Sequence, residues 1–242
     1  MRRALAAALV LGLSGCASPP QPPVVVKTNV STQYYALHGT TSAAIFDEID
    51  RNNLFETSGQ RAIGLTTADW KLTSEGLCSA PSLTITLTLV VTLPRHEQSG
   101  ALPENVRRHW ERFVARVAAH EQRHADIFLE GAKAMKTGME TARAKGLSCA
   151  ELEKLIDGLW KNEQAEIDQA QQRFHLEDSA KSHADRDPLQ GQVDGNRTRL
   201  AGLEGEMRRS GVTREEHGRL AEDYNRLVAE TNDLIEALNW TR

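Results

Sequence analysis

The sequence predicts an α+β fold: short N-terminal strands with one helix, a long antiparallel helical hairpin, and a second helical hairpin at the C-terminal end. Three observations carry this expectation. Residues 82–93 (SLTITLTLVVTL) set Leu83, Ile85, Leu87 and Leu89 against Thr84, Thr86 and Thr88, the period of a strand with one buried face. From Leu102 to Lys145 the period becomes helical: Val106, Trp110, Phe113, Val114, Val117, Ile127, Met135 and Met139 recur at three- and four-residue steps. Gly146 stops that helix, and Ser148-Cys149-Ala150-Glu151 has the form of a capping box that opens the next. A turn this short forces the two helices to pack antiparallel.

The N-terminus reads as an address. Met1-Arg2-Arg3 precedes the apolar stretch Ala4 to Leu13, the size of a signal-peptide core and too short to span a bilayer. Leu13-Ser14-Gly15-Cys16 resembles the bacterial lipobox, which implies cleavage before Cys16 and acylation of its thiol. Ala17 follows, not Asp, and the resemblance then implies outer-membrane attachment facing the periplasm. Residues 1–15 are thus expected as signal peptide and 16–32 as a lipidated, Pro-rich tether. With Cys16 lipidated, Cys78 and Cys149 remain, and export favours a disulfide between them, worth ~3–4 kcal/mol in the loop-entropy model.

The expected domain follows over 33–185. Gln33 to His38 is a strand ending at Gly39, and Thr41 to Asn52 a helix with Ala44, Ile45 and Ile49 on one face. Arg61 to Leu72 and Ser82 to Leu93 are strands, the second ended by Pro94. The second arm of the hairpin runs to about Phe174, with Leu152, Leu155, Ile156, Leu159 and Ile167 inward. Residues 176–198, polar and holding Pro188, Gly191 and Gly195, read as a linker, so 186–242 is expected as linker plus C-terminal hairpin. Thr213-x-x-Glu216 caps the second arm of that hairpin. Leu220, Tyr224, Leu227, Thr231, Leu234 and Leu238 make a coiled-coil-like seam along it.

Charge narrows the function classes. The 242 residues carry 29 Lys+Arg against 33 Asp+Glu, a net charge of −4, without basic runs. That gives no electrostatic case for a nucleic-acid partner.

His120-Glu121-Gln122-Arg123-His124 is an HExxH sequence inside the first hairpin helix. Residues i and i+4 share a helical face, so both imidazoles reach one Zn²⁺ at ~2.0–2.1 Å. Glu121, next in sequence, is then placed to act as general base on the attacking water. A catalytic zinc needs a third protein ligand. No histidine follows His124 closely enough to extend the motif, so the partner must come from elsewhere. Folding the hairpin at Gly146 to Ser148 mirrors 120–124 onto about 169–174, which favours His175. His183, Glu166, Asp168 and Asp126 are the alternatives, the last also as a group orienting a ligand. His38, His96, His109 and His217 read as surface residues.

Several motifs together resemble a bacterial family of secreted or periplasmic proteins regarded as zinc-dependent proteases and classed as a domain of unknown function. The resemblance spans about residues 33–185. It rests on Tyr34-Tyr35-x-Leu37-x-Gly39-x-Thr41, Gly64-x-Thr66 to Trp70, Cys78, Pro94-Arg95, Trp110-x-x-Phe113, the HExxH sequence and Cys149. It implies a zincin-like metallopeptidase with His120 and His124 as ligands and Glu121 as base. The family's Asp-x-x-Thr-x-His-Gly element corresponds to Asp178-x-x-Lys181-x-His183-Ala184, which lacks the Thr and the Gly and points to His183 where the hairpin points to His175. The expected function is zinc-dependent hydrolysis of a peptide or protein substrate at the cell envelope. The alternative is a non-catalytic lipoprotein that scaffolds a protein partner through its C-terminal helices.

Overall fold

The computed structural model describes residues 23–52, 54, 62–74 and 82–241. The expected signal peptide, Cys16 and Cys78 lie outside these residues. Three strands and four helices follow in the order β1 (Val24–Leu37), α1 (Ser42–Arg51), β2 (Leu65–Thr73), β3 (Leu83–His96), α2 (Glu104–Arg143), α3 (Cys149–Met207) and α4 (Arg214–Asn239). The α+β class is as expected.

The sheet has the order β1-β3-β2, with β1 parallel and β2 antiparallel to β3. The alternation in β3 does what its sequence says: Leu83, Ile85, Leu87, Leu89 and Val91 are buried while the threonines between them are half-exposed. That apolar face lies on α2 and α3, against Ile127, Met135, Met139, Leu152, Ile156 and Ile167. Trp70 of β2 packs edge-on between Phe128 of α2 and Trp160 of α3.

β1 is longer than expected. Residues 24–32, expected as tether, form strand because their backbone pairs with Leu83 to Val91 of β3. Their side chains from Lys27 to Thr32 stay exposed, so no alternation marks them in the sequence. β3 in turn passes through Pro94. The β2 pairing ends at Leu65↔Thr92, so the strand is an edge on that side beyond Thr92, where a proline is tolerated.

Thr41 caps α1 by accepting from the Ala44 N–H, and Glu48 Oε2 accepts from the His38 and Gly39 N–H groups at 2.6 and 3.2 Å. Gly146, at φ +65°, and the Ser148–Glu151 capping box make the α2–α3 turn. Cys149 at the start of α3 is disulfide-bonded.

One expectation about the C-terminal part needs correction. α3 does not end near Phe174; it runs on for 59 residues through the expected linker and through Pro188. The stretch is polar because most of it is solvated, with only Val193 and Asn196 buried between 176 and 198. An interior proline costs ~3 kcal/mol, offset here by packing of the far half of α3 on α4. Leu227 and Thr231 of the α4 seam are buried, and Tyr224 Oη donates to Glu204 Oε1 at 2.8 Å. The hairpin also packs on the main body: Trp240, 2% exposed, inserts among Phe46, Trp110 and Phe113.

Candidate metal centre

The site forms between α2 and α3, two turns along α2 from a close approach of the helices at Gly131. At Gly131 an added Cβ would lie 2.4 Å from Ile167 Cδ1, so the missing side chain is what lets the helices approach. His120 and His175 are equidistant from the Leu147–Ser148 turn, as are His124 and Gln171, and each pair faces across the hairpin. One nitrogen from each of His120, His124 and His175 falls within 4.8 Å of the others. The ring centroids of His124 and His175 are 4.7 Å apart, and those of His120 and His175 5.6 Å. Phe174 packs against both motif imidazoles, at 4.8 and 5.0 Å.

The hydrogen bonds behind the rings fix their tautomers. His120 Nδ1 lies 2.8 Å from Asp178 Oδ2, a group that only accepts when ionised. Nδ1 of His124 meets Gln171 Oε1, and the same amide's Nε2 donates to the His124 carbonyl at 3.3 Å, which sets which end of the amide faces the ring. Both Nδ1 atoms are therefore N–H donors, and wherever the rings carry a single proton both Nε2 atoms present lone pairs. Those two Nε2 atoms are 3.0 Å apart. Facing lone pairs repel at that distance unless a cation lies against them. Ligands 2.0–2.1 Å from a tetrahedral zinc sit ~3.3–3.4 Å from each other, so the pair is already near the bound spacing. The donor set fits zinc: three imidazoles, with acceptors holding the far nitrogen of two of them.

Glu121, 4% exposed, reaches β2. Thr66 Oγ1 donates to its Oε2 at 2.8 Å. Gly64 makes room for it: an added Cβ there would lie 2.7 Å from both Cγ and Oε1 of Glu121. Tyr35 Oη donates to the Ile63 carbonyl at 2.7 Å and so steadies the backbone that leads into Gly64. Burial pushes the Tyr35 hydroxyl well above its ordinary pKa. A cavity of about 520 Å³ opens over this group, lined among the described residues by His120, Glu121, His175, Gly64, Arg116 and Thr241.

The remaining candidates fall elsewhere. His183 is exposed and outside the cluster, as are Glu166 and Asp168. Asp126 accepts from Gln122 Nε2 at 2.8 Å and orients no imidazole. His96, expected at the surface, is 6% exposed: its Nδ1 accepts from the Gln98 N–H and its Nε2 lies 2.9 Å from the Gly39 carbonyl. His109 is half-buried, and desolvation lowers its pKa. Gln171 and Asp178 were not singled out as ligand-orienting groups, yet a signal existed. They lie four residues before and three after His175, the spacing that keeps polar groups on one helical face.

No curated protein and no solved structure matches the chain. The profile of a family described as bacterial proteins of unknown function, DUF922, matches residues 32–183. That span holds β1 from Thr32, the HExxH helix, His175 and Asp178, and stops before the far half of α3 and all of α4. It is more than half of the chain, and the protein belongs to the DUF922 family.

Proposed function

We propose that this protein is a zinc-dependent peptidase of the cell envelope. The observation that carries the reading is the pair of Nε2 lone pairs, 3.0 Å apart, with a third imidazole beside them and acceptors fixing both tautomers. His120, His124 and His175 would hold the metal, three protein ligands being the number a catalytic zinc takes. When bound, zinc supplies a Lewis acid that polarises a carbonyl and acidifies water. Glu121, held by Thr66 and bordering the cavity, takes the proton of the attacking water and returns it to the leaving amine. Asp178 and Gln171 keep the imidazoles in the ligand tautomer. Cys16 anchors the chain through lipid, and Cys149 is bonded to Cys78. No helix among the described residues is long and apolar enough to cross a membrane.

Elemental analysis tests the metal. One zinc per chain is expected, lost in His120→Ala, His124→Ala and His175→Ala and kept in His183→Ala. Equal zinc in all four proteins, or none in the parent after reconstitution, refutes the site. Glu121→Gln is expected to keep zinc and lose peptide cleavage; cleavage at the parent rate refutes the general-base role. Palmitate labelling absent from Cys16→Ala, and an intact bridge in non-reducing peptide mapping, are the expected results for the two cysteine assignments.

A further inference from the structure

The cavity beside the three histidines is walled on one side by the end of the chain's own last helix. Thr241 lines it, Ser182 Oγ donates to the Thr241 carbonyl at 3.2 Å, and Trp240 anchors the segment in the aromatic cluster. At this wall stands Arg116, one helical turn before His120 and therefore on the same face of α2. An Nη2 hydrogen of Arg116 is donated to the Trp240 carbonyl, which aims the guanidinium along the wall. Its other donors have no partner among the described residues. A guanidinium is always charged and its fork matches a carboxylate.

Glu121, Asp178 and Asp185 line the cavity with Lys181, and among the described residues none of the three carboxylates is bonded to Arg116. Glu121 is bonded to Thr66 and Asp178 to His120. Lys181 and Asp185, both lining the cavity, stand one turn apart on α3 with opposite signs. Arg116 is thus a cation whose remaining donors are open, among the described residues, on the Thr241 side of the cavity.

Resting on the peptidase reading above, we propose that Arg116 binds a substrate carboxylate at the end closed by Trp240 and Thr241, so that the site prefers peptides offering one there. That carboxylate comes either from a free C-terminus or from an acidic side chain; the chemistry is the same. It follows that α4, outside the family match, is a specificity element of this site.

The test is peptide binding by the full, zinc-loaded chain carrying Glu121→Gln, measured by isothermal titration so that turnover plays no part. Three matched peptides are compared: neutral with a free C-terminus, neutral and amidated, and amidated with an internal Glu. At least tenfold tighter binding of one or both carboxylate peptides over the neutral amide is expected, and which of them gains identifies the source. Adding Arg116→Gln is expected to erase that difference, whatever it does to the affinity for the neutral amide, and Arg116→Lys to restore part of it. Arg116→Gln weakening all three peptides equally, so that the carboxylate preference persists, would leave the residue only its hold on the Trp240 carbonyl and overturn the proposal. Equal affinity for all three in the Arg116 protein also overturns it, while leaving the peptidase reading standing. No binding of any peptide by a protein that holds zinc removes the peptidase reading, and this proposal with it.

Discussion

Asp178→Asn separates a metal site from a pair of histidines that merely touch. The substitution keeps the size of the side chain and removes an acceptor-only group from His120 Nδ1, now 2.8 Å away. An asparagine can turn its amide N–H toward Nδ1, which favours the proton on Nε2, the atom needed for zinc. Loss of such a supporting partner typically weakens metal binding 10–100-fold. The exposure of the two side chains, 26% and 44%, lets water screen the charge, so the low end applies: about tenfold, or ~1.4 kcal/mol. Gln171→Leu should cost more, nearer 100-fold, because His124 is only 9% exposed and Gln171 serves it with two hydrogen bonds. Competition against a chromophoric zinc chelator at neutral pH gives both affinities, and circular dichroism shows whether the fold is intact. Unchanged affinity in two folded variants would refute the account of the tautomers and, with it, the observation on which the metal reading stands.

Gly64→Ala places a Cβ 2.7 Å from Glu121 Cγ and Oε1 and 2.9 Å from Val117 Cγ1, so the carboxylate must shift by about 1 Å. A ~100-fold fall in kcat at unchanged zinc content is expected, and cleavage at the parent rate would mean Glu121 is not the base. The buried Tyr35 hydroxyl has its pKa raised by desolvation, so the folded state holds this proton more tightly than the unfolded chain. The resulting stability is present below pH ~10 and is lost as pH rises beyond it. Tyr35→Phe should therefore cost about 1 kcal/mol at neutral pH and flatten the alkaline arm of a denaturation profile; parallel arms would contradict this. Pro188→Ala restores an N–H in the interior of α3 and should stabilise by up to ~3 kcal/mol in urea denaturation; an unchanged or lower midpoint would contradict this.

What the sequence made legible was whatever period and chemistry specify locally. The Leu/Thr alternation of β3, both capping boxes and the apolar stripe of α2 each point to one conformation, and each is found. His175 was legible because a short turn makes hairpin height a matter of counting residues. The first half of β1 was not, since its backbone is paired but its side chains are solvated, and burial pattern is what sequence reading detects. The run of α3 through Pro188, Gly191 and Gly195 was hidden for a related reason: those residues argue locally for a break, while the packing of α4 that overrides them is a long-range fact. His183 misled because spacing along a family motif says nothing of which way a helical residue faces. Asp178, in the same motif, is the residue that reaches the site.

The positions of these features bear on how the site is held. The histidines lie about 40 Å along the hairpin from its turn, at ~1.5 Å per residue, where a small splay of the helices would separate the rings by more than a metal tolerates. The turn, with its capping box and half-cystine, secures only one end. Close to the rings, Gly131 against Ile167 sets the helix separation, and Gln171 bridges from α3 to both the ring and the backbone of His124. Beyond them, Ser182 of α3 and Arg116 of α2 each bind the end of α4, at the carbonyls of Thr241 and Trp240. The last turn of the chain thus ties the two ligand-bearing helices together on the far side of the site. An added helical hairpin thus helps to fix the distance between α2 and α3, the one coordinate that the proposed metal site cannot set from within either helix.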